Sequence, residues 1–298
     1  MRQLGEARDD AMWKCFGAQL SGNICLYLGK LGDVRAYLEN ALSLWDPAYR
    51  DFAPTAEDPY VGAIFHLSRT LLCLGHLGEA VSRRDEALAA TQPLSPFMRV
   101  FALRQSWYGD WAIEGAESAR TMLASANEVV TLSNEHGFRD PLGIGNIMRG
   151  WCLCALGQEA EGIPLLLQGL TTCRTGGRSL MIPFFLTVLA DAYGMAAQPR
   201  EGLDRLAEAA KLVDTTHERW ADAEIHRLQG KLLLSMHEQT AAESSYRRAL
   251  EVAQQRLGAA RGPRPRAALA GPGQVHRSAR AALATFRAGS PKASTRET

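Results

Sequence analysis

The chain has 298 residues, of which 46% are hydrophobic and 22% charged. These are ordinary values for a folded globular protein, and they exclude wholesale disorder and a collagen-like chain. The longest apolar run, residues 180–190, is much shorter than the roughly 20 residues of a membrane span. The first residues lack the apolar core of a signal peptide, and six scattered cysteines do not make a disulfide scaffold. We expect a reduced, cytoplasmic protein without a membrane partner.

The net charge of +1 conceals an asymmetry between body and tail. Residues 256–298 contain nine basic residues and one acidic residue, a charge of +8, whereas residues 1–255 carry −7. A basic extension is typical of a nucleic-acid-binding arm. The acidic body argues against that role, and we expect no nucleic-acid partner.

The predicted elements, in chain order, are about six helical hairpins. The shared pattern is a small residue, a large residue three positions later, a turn, and a second small–large–small series. The first-helix markers are Gly22, Ser68, Trp107 (in a degenerate copy), Gly150, Ala190 and Gly230. Their spacing of 39 to 46 residues exceeds the roughly 34 residues of a minimal tetratricopeptide repeat. We predict an all-α, tetratricopeptide-like solenoid, a right-handed superhelix, over residues 1–255.

The tail, residues 256–298, does not continue this pattern. It is basic and rich in glycine, proline, arginine and alanine, and an amphipathic face survives only near residues 279–287. We expect this segment to be disordered.

No catalytic, cofactor or metal motif emerges. Gly29-Lys30 lacks the glycine five residues upstream and the Ser or Thr downstream that a phosphate loop requires. Cys152 and Cys154 diverge by about 200° around a helix, which is poor geometry for one metal ion. The histidines lack the i, i+4 pairing of a helical zinc site, and no Gly-x-Ser-x-Gly elbow is present. We therefore predict a chain without enzymatic activity, cofactor or metal.

The inner, concave surface of the solenoid is the better candidate for a binding site. First helices line that surface in tetratricopeptide arrays, so residues one after and three before each marker are expected to project inward. Basic residues among them could hold acidic groups of a peptide. The alternative is an ordinary charged surface with aromatics in the hairpin cores. The candidate residues are Phe65, Arg69, Arg104, Tyr108, Trp151, Asp191, Arg227 and Lys231.

Several blocks of sequence resemble a known family. They are GWCL at 150–153, GIPLLLQGL at 162–170, PFFL at 183–186, ADAYG at 190–194 and ERWADAE at 218–224. Over about residues 10–255 the chain resembles the C-terminal repeat region of bacterial adenylate/guanylate cyclase-like proteins. The resemblance implies a class III cyclase domain and an ATPase module upstream of such repeats. The sequence contains neither module, so no cyclase residue can be carried over.

The tail departs from that family, which continues with a segment close to WELRAALDLARLWRDQGK. When residues 257–274 are back-translated and read one base later, all eighteen shifted codons are compatible with it. We therefore hypothesise that the tail is a frameshift product. The last hairpin would then lack its neighbour, and we expect an uncovered apolar face around Leu250 and Val252, with fraying or self-association.

The leading functional interpretation is a non-catalytic helical-repeat scaffold for protein–protein or interdomain interaction in a cyclase-like signalling protein. Its partner would be a protein, a peptide or a neighbouring ATPase or cyclase domain. Two alternatives stay open: a truncated remnant of a class III cyclase, and a nucleic-acid module that uses the +8 tail.

Overall fold

A computed structural model describes residues 5, 7–53, 56–91, 95–113, 115–259 and 279–284. These residues are almost entirely helical and contain no strand. The helices are α1 (Ala11–Tyr27), α2 (Leu31–Ser43), α3 (Pro59–Leu74), α4 (Leu77–Ala90), α5 (Pro96–Ile113), α6 (Ala119–His136), α7 (Arg139–Ala155), α8 (Glu159–Thr175), α9 (Ile182–Met195), α10 (Pro199–Thr216), α11 (Asp222–Ser235) and α12 (Gln239–Ala259). They pair in sequence as six hairpins, which confirms the predicted all-α repeat fold.

Each hairpin stacks on the next. The first helices α1, α3, α5, α7, α9 and α11 contact one another in series, and each second helix contacts the first helix that follows it. The first helices therefore line the inside of the array. Every residue of α9 from Ile182 to Ala192 is buried, because this helix is covered on both its hairpin side and its inner side.

The small markers let paired helices approach closely. In the α7–α8 hairpin, a Cβ added at Gly150 would lie 2.6 Å from the carbonyl oxygen of Gly162, so the two backbones are nearly in contact. In the α3–α4 hairpin, the Ser68 hydroxyl donates to the Ala80 carbonyl at 2.7 Å. Trp107 occupies the marker position of the α5–α6 hairpin and is fully buried.

Helix starts follow local sequence signals. Asp58 caps α3 by accepting a hydrogen bond from the Val61 amide at 3.0 Å, and Pro59 occupies the first turn. Asp10 caps α1 through the Trp13 amide at 3.2 Å. Proline also lies in the first turn of α9 and α10, where its missing N–H removes no helical hydrogen bond.

The two ends of the array meet. The Arg219 amide, between α10 and α11, donates to the Tyr27 carbonyl at the end of α1 with an N–O distance of 2.7 Å. Helix α12 contacts α2, and Val252 is buried. The expectation of an uncovered face at Val252 is therefore wrong, because curvature of the solenoid brings the first hairpin against the last.

Leu250 is also partly covered. It packs beside Ala279 and Leu283 of the helical residues 279–284, together with Ala242 and Tyr246 of α12. This cover removes the ground on which fraying and self-association were expected. The predicted boundary at residue 255 stays a prediction, and α12 extends to Ala259. The rest of the predicted disordered tail lies outside the described residues.

Candidate functional site

Arg69 of α3 lies at the centre of the interior. Its guanidinium carbon is 5.0 Å from the ring centre of Tyr108, 5.2 Å from that of Trp220 and 5.9 Å from that of Tyr27. It also donates a hydrogen bond to the Gln105 side-chain carbonyl. These rings belong to α5, the α10–α11 connection and α1, so one cation joins three distant parts of the chain.

Two connecting segments fold inward beside Arg69. Arg178, between α8 and α9, donates two hydrogen bonds to Asp140 of α7, at 2.6 Å from Nε and 2.5 Å from Nη2. Glu218, between α10 and α11, accepts from the Met181 amide at 2.9 Å and from the Trp220 indole at 2.9 Å. Both connections are thus anchored by charge-assisted hydrogen bonds.

Arg104 of α5 is the least satisfied charge in this region. Its side chain is only 10% exposed, and its nearest ion-pair contact is Nη1 to Asp140 Oδ2 at 4.0 Å. Both Asp140 oxygens already accept from Arg178. The Arg104 Nε is buried without a hydrogen-bond partner among the described residues. Arg104 therefore retains donor capacity for an anionic group.

Burial and charge act in opposite directions on the acids here. Burial raises the pKa of Glu57, against the opposing charges of Arg104, Arg69 and Arg178. Burial likewise raises the pKa of Glu218. At Asp140 burial is outweighed by the hydrogen bonds and charge of Arg178, so the pKa is lowered. We call Glu57, Arg69, Arg104, Tyr108, Asp140, Arg178 and Glu218 the central cluster.

A second polar group lies farther along the interior. Asp191 of α9 accepts from the Trp151 indole at 3.0 Å and from the Lys231 ammonium at 2.9 Å. Arg227 of α11 pairs with Glu224 one turn earlier, at 2.7 and 2.5 Å. These side chains link α7, α9 and α11, and their charges are matched within the group.

Seven of the eight residues proposed from sequence divide between these two places, and Phe65 lies in the core. Arg69, Arg104 and Tyr108 belong to the central cluster, whereas Trp151, Asp191, Arg227 and Lys231 form or adjoin the second group. Phe65 packs edge-on against Phe101 in the core. Only Lys231 is exposed. Their role in binding stays a prediction.

Sequence reasoning missed Glu57, Asp140, Arg178 and Glu218. Glu57, Arg178 and Glu218 lie in connections between helices. The repeat pattern does not predict in which direction those connections run. Glu218 belongs to the ERWADAE block at 218–224. A charged residue two positions before a tryptophan, in a short connection, is the sequence signal that could have pointed to it.

Other site types have no support among the described residues. They contain no group of three or more His, Cys, Asp or Glu side chains that could hold a metal ion. The six cysteines are free thiols, and burial raises the pKa of Cys15 and Cys173 to about 11. No described helix is both long and apolar enough to cross a membrane.

Comparison with known proteins identifies the fold. Bacillus thuringiensis PlcR, in a crystal structure with the peptide PapR7 and DNA, superposes with a TM-score of 0.52 at 14% identity, over 76% of this chain and 83% of that one. The apo form of RapI gives a TM-score of 0.49 at 12% identity, over 93% and 100%. PlcR is a tetratricopeptide-like helical-repeat protein, so the superposition on it supports the same fold for this chain. No protein-family model and no curated protein sequence matches the chain.

Proposed function

We propose that this chain is a non-catalytic helical-repeat scaffold that binds a peptide or protein segment carrying carboxylate groups. The segment would enter the interior lined by the first helices. Its carboxylate would engage Arg104, with Arg69 and its surrounding aromatic rings beside it.

The observation that carries this proposal is the incomplete pairing of Arg104. A guanidinium that is nine-tenths buried, with one N–H unpartnered among the described residues, is costly unless something compensates it. Among the described residues, Asp140 lies at ion-pair distance from Arg104, at 4.0 Å, and Arg178 already engages both of its oxygens. An incoming carboxylate would supply the missing acceptor, and a charge-assisted pair in this setting is strong.

The structural neighbour supports the same class of function. PlcR is described in complex with a peptide and with DNA. Peptide binding fits the interior of this chain better than DNA binding does, because residues 1–255 carry a net charge of −7 and would repel the phosphate backbone.

Fluorescence polarisation with two matched peptide pools tests the proposal. One pool has Asp or Glu at alternate positions, and the other has Asn or Gln at the same positions. We expect the acidic pool to bind the full chain more tightly. Arg104→Gln should weaken acidic-pool binding about tenfold or more, because a hydrogen bond to a charged group is worth roughly that factor.

Arg149→Gln is the matched control, since Arg149 pairs with Glu161 away from the interior at 3.6 Å. Arg104→Lys keeps the charge and should retain part of the affinity. Circular dichroism melts identify any variant that fails to fold. Equal binding of the two pools, or an Arg104→Gln variant that folds and binds like the parent, would contradict the proposal.

The sequence resemblance extends the proposal to a signalling context. We propose that the partner is a segment of an ATPase or adenylate cyclase-like module. The alternative is that the chain is the stranded repeat end of a truncated cyclase. Sequencing the gene with its flanks separates these: an upstream cyclase–ATPase frame and a shifted tail favour the remnant, whereas an intact, separate gene favours a free-standing adaptor.

A further inference from the structure

A charged cleft lies where the two ends of the array meet. It has a volume of about 340 Å³, at the lower end of the range for small-molecule sites. One wall is the α1–α2 turn with Gly29 and Lys30, and the other is the α10–α11 connection with α12, including Arg219, Arg248 and Arg256. The cleft is separate from the central cluster and shares no residue with it.

The cleft has an excess of positive charge. Four cationic side chains line it, on Lys30, Arg219, Arg248 and Arg256, against the two carboxylates of Asp33 and Asp222. This excess is local, because the first 255 residues as a whole are acidic.

The two carboxylates that line the cleft do not pair with these four cations one to one. Asp222 is shared, with Oδ2 at 3.5 Å from Arg256 and 3.7 Å from Arg219. Arg256 is otherwise held by the carbonyl oxygens of Trp220 and Arg219. The Lys30 ammonium makes no ion pair or hydrogen bond to another residue in the described part of the chain. Arg219 also lies 3.7 Å from Asp214, and Arg248 pairs with Glu251 at 3.1 Å, so carboxylates that do not line the cleft partly balance two of these cations.

The backbone adds to the positive potential. Helix α2 begins at Leu31, and no side chain caps its N-terminus. A helix N-terminus favours anions through its free N–H groups and its dipole. The turn before it needs Gly29 in the left-handed region, at φ +73°, and a Cβ there would lie 3.3 Å from the Arg219 Cβ. This glycine lets the two walls approach each other.

The titration of a neighbouring histidine agrees with this charge distribution. Burial lowers the pKa of His226, and the charges of Arg248 and Arg256 lower it further, against the opposing charge of Asp222. Burial also lowers the pKa of Arg256, with Arg219 contributing in the same direction.

We propose that this cleft binds a small organic phosphate, a phosphate monoester whose dianion is held by Lys30, Arg248 and Arg256. The dianion matches the excess of two positive charges among the residues that line the cleft. The volume and the apolar side chains of Leu28 and Val252 leave space for the organic group. Because the walls belong to the first and last hairpins, the bound anion would tie the two ends of the array together.

Isothermal titration calorimetry of the full chain tests the site with inorganic phosphate, phenyl phosphate and ribose 5-phosphate. We expect saturable binding of one equivalent, tighter for at least one organic phosphate than for inorganic phosphate. Binding should weaken strongly at about 1 M salt, where the screening length falls to about 3 Å. Hydrogen exchange should slow at residues 27–33 and 248–256 when the anion is bound.

Variants at exposed positions locate the binding. Lys30→Gln combined with Arg248→Gln should weaken the affinity about tenfold or more, because it removes two charged donors. The matched control is Arg247→Gln, since Arg247 is the neighbouring arginine on α12 and pairs with Glu243 outside the cleft. Arg256 is left intact because its carbonyl contacts support the fold.

Three outcomes would overturn the proposal. The first is no saturable binding of any of the three phosphates. The second is equal affinity in the double variant and the parent, which would move the site elsewhere. The third is inorganic phosphate binding as tightly as both organic phosphates, which would make free phosphate the ligand. None of these outcomes bears on peptide binding at Arg104.

Discussion

The α7–α8 hairpin and the contact between the two ends of the array hold the molecule together by different means. In the hairpin, Gly150 and Gly162 let two backbones approach, and apolar side chains fill the remaining space. At the end-to-end contact, which we call the seam, residues 27–30 meet residues 218–222 and Arg256. The Arg219 amide donates across the seam to the Tyr27 carbonyl, and the Arg256 guanidinium supports that segment from its own side by donating to the Trp220 and Arg219 carbonyls.

This difference separates two kinds of stability. The stability of the hairpin rests on close packing of the two helices. An atom added between them is therefore destabilising, whereas pH and salt have little effect. The seam includes charged side chains as well as backbone hydrogen bonds, so its stability responds to ions. Local hairpin packing fixes the repeat, whereas the polar seam determines whether the array is closed.

The largest expected effect is on the hairpin. Gly150→Ala would place a Cβ 2.6 Å from the Gly162 carbonyl oxygen and 2.9 Å from the backbone of Leu166. Backbone cannot move aside as a flexible side chain can, so we expect a loss of about 3 kcal/mol in the free energy of unfolding. Urea denaturation followed by circular dichroism measures it.

The same substitution at Gly78 is the matched control. Gly78 lies within α4, and a Cβ there would meet no heavy atom within 4 Å. Gly78→Ala should raise the free energy of unfolding by roughly 0.5–1 kcal/mol, the difference in helix propensity. If both substitutions changed the free energy of unfolding in the same direction, the close approach of α7 and α8 would not explain why residue 150 is a glycine.

A smaller effect is expected from pH, through His66 on α3. Its Nδ1 lies 2.7 Å from the Gly62 carbonyl oxygen, and burial, with the Arg69 charge, lowers its pKa to about 3. The unfolded chain takes up this proton near pH 6.5 and the folded chain does not. His66 therefore has no effect on the pH dependence of the free energy of unfolding above pH 6.5. Below pH 6.5 the free energy of unfolding falls by about 1.4 kcal/mol per pH unit, which amounts to about 2 kcal/mol at pH 5.

His66→Gln should remove this dependence. The raised pKa values of Glu57 and Glu218 act in the opposite sense, because their stabilisation is present at low pH and is lost as pH rises. Both proteins share those acids, so the difference between their curves from pH 7 to pH 5 isolates His66. Parallel curves would show that His66 becomes protonated in the folded state without cost.

The repeat could be predicted from the sequence because each small residue makes its contact with the next helix of the same hairpin, which is close by in the chain. Gly150 faces the helix that follows directly in sequence, and the same holds for Gly22, which packs on Leu38. The periodicity therefore reports contacts that lie within one hairpin. Trp107 shows that a degenerate copy can still pair when a large residue occupies the marker position.

The central cluster and the seam could not be predicted in this way. Arg178 and Glu218 lie in connections, whose direction depends on packing between segments far apart in the chain. The rule for inward-facing positions located Arg69 and Arg104 in the interior, but it gave no sign that Tyr27 and Trp220 would cover Arg69. The uncovered face expected at Val252 was wrong for the same reason, because the array was treated as open.

The smallest expected effect tests the support that Arg256 gives to one side of the seam. Arg256→Met would remove the hydrogen bonds to the Trp220 and Arg219 carbonyls while keeping much of the apolar stem. We expect a loss of about 1 kcal/mol in global stability. Faster exchange is expected at the Arg219 amide, which donates to the Tyr27 carbonyl, because opening of the seam exposes that amide before the hairpins unfold. Arg247→Gln on the same helix should leave this amide unchanged. If Arg219 exchanged no faster in Arg256→Met, closure of the array would rest on apolar packing around Val252 instead of on the polar seam.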